Sequence, residues 1–217
     1  MLVTWMRRVY ERIGRKTGIG YWEKRAKRYG ARSVLNIGHT GEEMAALTER
    51  QKEILFPLLA GQLRGDERVI VDFGCGPGRF TPSLSELVRG SAIGVDPIQR
   101  LLDLAPCANG VEYRRVESGR IPVADGSADV IWVCLVLGTI TEEDALGAAA
   151  AEIRRVLHPD GLLFVVENTA RKPDLPHFRF RTVDAYLSLF PWAQLDVVGG
   201  YEDLGERISV LAGRRGS

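Results

Sequence analysis

The sequence contains few of the residues that build metal centres or disulfide frameworks. Its 217 residues include only three cysteines and three histidines. Cys75, Cys107 and Cys134 are far apart and show no paired spacing, so neither a disulfide framework nor a zinc site is predicted. The small number of histidines weakens a metal-enzyme interpretation further.

Long apolar runs are also absent. The longest apolar stretch, 131–137, has the length of a strand and is far shorter than the ~20 residues that cross a bilayer. The N-terminus lacks the apolar block and the small-residue cleavage site of a signal peptide. We therefore expect a cytoplasmic globular protein, with one domain and at most a short appendage.

The charge is balanced overall but unevenly distributed. Residues 1–32 carry ten basic and two acidic side chains, a net charge of +8, which leaves 19 basic and 26 acidic side chains, or −7, for the rest. Apolar residues recur at helical spacing within this basic region: Leu2, Trp5, Met6, Val9 and Ile13. The predicted basic amphipathic helix has two possible roles, as a lid or dimer contact or as a contact with an anionic membrane surface.

From residue 67 onward, strand-like and helix-like segments alternate, as in a parallel sheet with crossover helices. Strands are predicted at 68–72, 91–96, 111–116, 129–137, 162–166, 194–198 and 208–212. The prediction is a doubly wound α/β fold with a mostly parallel seven-stranded sheet. Residues 1–65, with a second amphipathic helix at 42–59, are predicted to form an N-terminal helical lid on a domain of residues 66–217.

The most informative segment follows the first strand and reads Asp72-Phe-Gly74-Cys-Gly76-Pro-Gly78. Closely spaced glycines between a strand and a helix let the backbone approach a nucleotide-like ligand. Arg79 stands where a dinucleotide fingerprint needs its third glycine, and a GK[ST] phosphate loop is missing. The acid two residues before Gly74 suits a ligand with an ammonium group better than one with a pyrophosphate.

A second carboxylate, Asp96, ends the second predicted strand 24 residues after Asp72. In doubly wound folds, an acid at about this distance binds ribose hydroxyls, because a carboxylate accepts two hydrogen bonds from a vicinal diol. The two features together predict a nucleoside-containing ligand with a positively charged end.

Four further segments accompany this loop: 116–122, 125–130, 136–140 and 152–161. Their order and spacing resemble those of class I, Rossmann-like S-adenosylmethionine-dependent methyltransferases of the ubiquinone/menaquinone-biosynthesis-like type. The resemblance covers about residues 67–167 and implies that S-adenosylmethionine is the cofactor.

The resemblance also implies roles for individual residues. Gly74, Gly76 and Gly78 would line the methionine and sulfonium part of the cofactor, Asp72 would orient its amino group, and Asp96 would hold the ribose. The adenine would contact Pro97, Ile98 and Glu117, where Glu117 replaces the aspartate usual in the family. Tyr21 and Tyr29 lie in a segment similar to one that closes over the cofactor. The remaining predicted cofactor contacts are Cys75, Ser118 and Cys134.

The catalytic base is the least defined part of the prediction. Many members of the family have a histidine just after the fourth strand, where this sequence has Gly138, which is expected to open space. The candidates for the base are His39 and His177, with Glu167 as a third. A structural role is an equally open interpretation for each of them.

The segment 171–181 is basic with interleaved aromatic residues, a composition that suits a saccharide, a polyol or an anionic small molecule. The predicted function is therefore O-methylation of a hydroxyl on a small-molecule acceptor. The alternatives are a membrane-associated methyltransferase or recruiting domain acting on a lipid-linked partner, and a tRNA or protein methyltransferase. The chain contains no recognisable RNA-binding module, so nucleic acid is not the expected partner.

Overall fold

The computed structural model of this protein describes residues 18–35, 39 and 43–216. The described chain begins with helix α1 (Gly18–Tyr29), a 3-10 turn (Gly30–Val34) and helix α2 (Glu43–Ala60). The basic helix predicted from Leu2 to Ile13 lies outside the described residues. None of the helices described is both long enough and apolar enough to cross a membrane.

Seven strands form one sheet in the order β3-β2-β1-β4-β5-β7-β6. The strands β1 to β5 are parallel, and β7 runs antiparallel to both β5 and β6. Their bounds are Val69–Phe73, Ser91–Asp96, Val111–Arg115, Ala128–Cys134, Leu157–Asn168, Asp196–Asp203 and Glu206–Arg214. The predicted doubly wound, mostly parallel sheet is confirmed.

Helices cover both faces of the sheet: α3 (Thr81–Leu87), α4 (Gln99–Leu102), α5 (Glu143–Val156) and α6 (Val183–Leu189) join α2. Successive strand residues point to opposite faces, so Val130 packs in the core beneath α2 and α3 while Ile131 packs in the core beneath α5 and α6. The near-continuous apolar strands follow from this burial on both sides.

Helix α2 packs into the hydrophobic core on one face of the sheet. Leu55 and Leu59, four residues apart on one helix face, are fully buried against it, and Phe56 contacts Trp132 edge-on with ring centroids 5.9 Å apart. Helix α1 packs elsewhere, where Ala26 is buried against the β2–α4 connection. The division into residues 1–65 and 66–217 stays a prediction.

The segment after β5 closes over the exit of β4. The backbone N–H of Arg179 donates to the carbonyl of Gly138 at 2.7 Å. The Arg181 guanidinium donates to the carbonyls of Leu137 and Ile140 at 3.1 and 3.0 Å. The ring of Phe178 occupies the volume that a Cβ at residue 138 would need. The expectation that Gly138 opens space is therefore wrong, because an aromatic ring fills that space.

The packing of α2 predicts a large stability cost for Leu59→Ala. Removing a fully buried leucine side chain should lower the free energy of unfolding by about 2–5 kcal/mol. Leu104→Ala is the matched control, because Leu104 is 50% exposed and should cost far less. Denaturant unfolding of both variants measures the difference, and equal costs would contradict a core position for α2.

The contact between Gly138 and Phe178 predicts a steric coupling. Gly138→Ala should destabilise the protein by about 1–3 kcal/mol, because the added methyl displaces the Phe178 ring. In a Phe178→Ala background the same substitution should cost much less. A double-mutant cycle measured by denaturant unfolding tests this, and an identical cost in both backgrounds would show that the two residues are not coupled.

Candidate functional site

A cavity of about 650 Å³ opens at the carboxyl edge of the central strands β1, β2 and β4. The loops that follow these strands form one side of it, and residues of α1 and α5 form the other. The predicted cofactor residues that line it are Asp72, Gly74, Cys75, Asp96, Pro97, Ile98, Ser118 and Cys134. Sequence and structure thus point to the same edge of the sheet.

The three glycines after β1 have positive φ angles of 73°, 54° and 70°, a conformation that glycine adopts most readily. Only Gly74 lines the cavity. A Cβ at Gly76 would lie 2.9 Å from Val34 Cγ1, and a Cβ at Gly78 would collide with the Tyr113 ring. The second and third glycines therefore allow close packing around the loop, which departs from the expectation that all three line the methionine.

Asp96 is fixed at the cavity wall by two backbone donors. Its Oδ2 accepts the N–H of Gly76 at 3.0 Å, and its Oδ1 accepts the N–H of Ile98 at 2.8 Å. Each oxygen keeps a further lone pair for a ligand. Burial raises the pKa of Asp96 to about 6. This oriented carboxylate fits the predicted contact with a vicinal diol.

Asp72 lies deeper, and the hydroxyl of Thr81 donates to its Oδ2 at 2.6 Å. Burial raises the pKa of Asp72 to about 7, although the Thr81 hydrogen bond and the Arg79 charge both act to lower it. An ammonium group in the cavity would favour the ionised carboxylate. The geometry fits the predicted role of Asp72 in orienting an amino group.

Arg79 also lines the cavity, a role that sequence reasoning missed because it treated Arg79 only as an interruption of a dinucleotide fingerprint. Its Nη1 donates to Thr48 Oγ1 at 2.9 Å and to Gln51 Oε1 at 3.1 Å, both on α2. The guanidinium carbon lies 4.7 Å from the centroid of the Phe80 ring. Burial lowers the pKa of Arg79.

Trp22 is the aromatic residue of α1 that lines the cavity, together with Gly18 and Ile19. The predicted lid tyrosines do not line it. Tyr21 stacks on His177 with ring centroids 4.2 Å apart, and Tyr29 is 47% exposed. The sequence carries no signal that separates Trp22 from Tyr21, because the burial of Ala26, four residues after Trp22 on the same helix face, is known only from the structure.

None of the three candidate bases lines the cavity. His39 Nε2 lies 3.2 Å from Asp203 Oδ1 on β6. His177 packs against α1 through Tyr21, and burial, with the nearby Arg25 charge, lowers the pKa of His177. The structure thus gives each histidine another partner.

Glu167 has a structural position. It is completely buried, and its carboxylate accepts the N–H groups of Val136, Leu137 and Gly138 at 2.8, 2.6 and 3.3 Å. The Tyr186 hydroxyl donates to it at 3.4 Å. Burial raises the pKa of Glu167 to about 7. Its oxygens thus accept donors of the β4 exit loop and hold that loop, and the catalytic role of Glu167 stays a prediction that these contacts do not favour.

Of the remaining predicted cofactor contacts, some line the cavity and one does not. Glu117 is exposed and lies outside the cavity lining, beside Ser118, which is part of it. Burial raises the pKa of Cys134 to about 12 and that of Cys75 well above its ordinary value, so both thiols are neutral. No group of three or more metal-ligating side chains was found in the described part of the chain.

The raised pKa of Asp96 predicts that ligand affinity depends on pH. A ribose diol donates to the ionised carboxylate, so binding of S-adenosylhomocysteine should weaken as the pH falls through about 6. We expect about tenfold weaker binding at pH 5 than at pH 8, because about nine-tenths of a group with a pKa of about 6 is protonated at pH 5. Calorimetric titration at both pH values measures the ratio.

Asp96→Asn is the control for this titration, because the amide keeps the shape and removes the proton. Its affinity should be lower by ~10–100-fold, and its dependence on pH should be clearly smaller than that of wild type, because only Asp72, with a pKa of about 7, still titrates in this range. An unchanged pH dependence in Asp96→Asn would assign the titration to Asp72 and contradict the prediction.

Residues 71–165 match the family described as Methyltransferase domain. The chain is 32% identical over 102 residues to an uncharacterised methyltransferase-like protein of Schizosaccharomyces pombe, covering 46% of this chain and 38% of that protein. It is 30% identical over 117 residues to ribosomal RNA-processing protein 8 of Caenorhabditis briggsae, covering 54% and 31%. It is also 30% identical over 118 residues to N-demethylindolmycin N-methyltransferase of Streptomyces griseus, covering 52% and 48%. The chain thus spans less than half the length of these relatives.

Solved structures share the fold. A SAM-dependent methyltransferase from Aquifex aeolicus aligns with a TM-score of 0.60 at 19% identity, over 80% of this chain and 98% of that chain. Phosphoethanolamine N-methyltransferase 1 of Haemonchus contortus, solved with phosphoethanolamine and S-adenosylhomocysteine, aligns with a TM-score of 0.65 at 15% identity, over 91% and 48%.

The family match covers the strands whose carboxyl ends form the cavity, and the structural likeness covers 80% of this chain. The finer resemblance to the ubiquinone/menaquinone-biosynthesis-like type stays a prediction. Residues 71–165 thus match a methyltransferase domain, and the fold around them is shared with solved S-adenosylmethionine-dependent methyltransferases.

Proposed function

We propose that this chain transfers the methyl group of S-adenosylmethionine to an amine nitrogen of a small, largely apolar molecule. The observation that carries the proposal is the cavity of about 650 Å³ that runs from Asp96 to the exit of β4. Its volume lies within the ~300–1,000 Å³ of small-molecule and cofactor sites. Beyond the predicted cofactor contacts, the apolar lining includes Ile19, Trp22, Phe80, Leu135, Val136 and Ile140.

The protein's contribution to this reaction is alignment and exclusion of water. When bound, S-adenosylmethionine supplies an electrophilic methyl group on its sulfonium. Asp96 would hold the ribose and Asp72 the amino group, while Trp22 would cover the cavity from α1. Fixing both reactants in line replaces a bimolecular encounter in water by a pre-oriented one.

The arrangement favours an amine over a hydroxyl acceptor. A hydroxyl needs a base to remove its proton as the bond forms, whereas a neutral amine attacks through its lone pair and loses a proton afterwards. The candidate bases His39, His177 and Glu167 all have other partners and lie outside the lining. Two of the relatives and fold neighbours are named as N-methyltransferases, which supports the same choice.

The predicted saccharide or polyol acceptor receives no support from the lining. In the segment 171–181, Arg181 donates to backbone carbonyls and to Glu143, and Arg179 donates to Asp174. On α1, Arg25 donates to the carbonyl of Leu35 at 2.6 Å and to the Tyr21 hydroxyl. These cations stabilise loops instead of facing the cavity.

Two measurements test the proposal. S-adenosylhomocysteine should raise the melting temperature of the protein, whereas NADH should not. Release of S-adenosylhomocysteine should then be highest with apolar amines in a library that also contains phenols, alcohols, oligosaccharides and total RNA. Asp96→Ala, which removes the ribose contact, is the negative control.

The outcomes separate the candidate functions. Turnover only with alcohols or oligosaccharides would overturn the nitrogen acceptor and keep the methyltransferase. Turnover only with RNA would favour the activity class suggested by the name of the ribosomal RNA-processing relative. A melting-temperature shift with NADH alone would overturn the proposed cofactor.

A further inference from the structure

Arg79 is a largely buried cation whose hydrogen-bonding capacity is only partly used. A guanidinium has five N–H donors, and Arg79 uses only Nη1, which donates to Thr48 Oγ1 and Gln51 Oε1. Nε and Nη2 have no hydrogen-bond acceptor among the described residues. The side chain belongs to the lining of the cavity.

The partners of Arg79 are held in place by hydrogen bonds of their own. Gln51 Nε2 donates to the Tyr201 hydroxyl at 3.0 Å, which turns its Oε1 towards Arg79. The Thr48 hydroxyl donates to the carbonyl of Met44 at 2.9 Å, so its oxygen can only accept from Arg79. The guanidinium carbon also lies 4.7 Å from the centroid of the Phe80 ring. The cation is therefore positioned before any ligand arrives.

The nearby carboxylates do not neutralise Arg79 by direct pairing. Asp72 accepts the Thr81 hydroxyl, and Asp203 lies against His39. Both act on Arg79 only through space, and in the described part of the chain its hydrogen-bonded partners are the neutral Thr48 and Gln51. Burying a charge on neutral partners costs free energy unless a counter-charge arrives.

We propose that Arg79 binds a carboxylate group within the cavity through its free Nε and Nη2 donors. A guanidinium edge and a carboxylate match in a bidentate geometry, which gives direction as well as attraction. The inference rests on the proposed function. One source of the carboxylate is the amino-acid end of the cofactor, whose ammonium would face Asp72. The other is a carboxylate that an otherwise apolar acceptor would carry beside its amine.

A purely structural role for Arg79 is the competing interpretation. In that case Arg79 would only join the loop after β1 to α2 through Thr48 and Gln51. Its loss would then weaken the binding of every ligand of the cavity to a similar extent, whether or not the ligand carries a carboxylate. The experiment therefore compares ligands that differ only in this group.

The test measures affinities of S-adenosylhomocysteine and 5′-methylthioadenosine, which lacks the amino-acid end, for wild type and Arg79→Met. It also measures binding of benzoate to each protein saturated with S-adenosylhomocysteine. Arg79→Lys keeps the positive charge but lacks the planar guanidinium and its paired donors. It replaces Arg79→Met in the experiment if that variant does not fold. Arg154→Met, a change at an exposed arginine of α5, is the matched control.

If Arg79 binds the cofactor carboxylate, Arg79→Met should weaken the binding of S-adenosylhomocysteine by about 10–150-fold and leave the affinity for 5′-methylthioadenosine unchanged. If Arg79 binds an acceptor carboxylate, the affinity for S-adenosylhomocysteine should be the same in both proteins. Benzoate should then bind wild type saturated with S-adenosylhomocysteine but not the saturated variant. Equal losses for both nucleosides, or no dependence of any ligand on Arg79, would overturn the inference. The proposed cofactor fails if wild type binds neither nucleoside, a result that is read without any variant.

Discussion

The structure depends on carboxylates that are buried where parallel strands end. Asp72, Asp96 and Glu167 lie at the carboxyl ends of β1, β2 and β5, and burial raises their pKa values to about 7, 6 and 7. Each remains tolerable because nearby hydroxyl or backbone donors point at it. These hydrogen bonds fix the course of the loops, and the loops form the cavity.

Burial of these carboxylates lowers the folding stability of the protein when no ligand is bound. An acid whose pKa is raised in the folded state stabilises that state at low pH and loses this contribution as the pH rises through the raised value. For Asp72 and Asp96 the loss falls between about pH 4 and pH 7. A ligand that brings an ammonium and a diol offsets it, so cofactor binding and loop stability are linked.

Local sequence patterns predicted the parts of the fold that depend on local constraints. The order of strands and helices along the chain follows from apolar runs that the sequence shows. The loop from Asp72 to Gly78 follows from its glycines, which allow positive φ angles. The partners of Glu167 could not be predicted, because they are backbone N–H groups 29 to 31 residues away in the sequence. The sequence shows that α1 contains aromatic residues but does not show which of them faces the cavity. It therefore predicts Tyr21 and Tyr29 as cofactor contacts, whereas Trp22 lines the cavity.

The charged side chains that line the cavity are Asp72, Asp96, Arg79 and Glu142, and the first three are separated by function. Asp96 lies towards β2, where a nucleoside fits, whereas Asp72 and Arg79, of opposite sign, lie towards β1 and α2, where an amino-acid end would carry both signs. The rest of the lining, from Trp22 to the exit of β4, is largely apolar. An apolar wall at that place strengthens the fixed charges by lowering the local dielectric and keeps water from competing with the acceptor. The division explains how one cavity could hold a cofactor that carries charges of both signs while selecting its acceptor by shape.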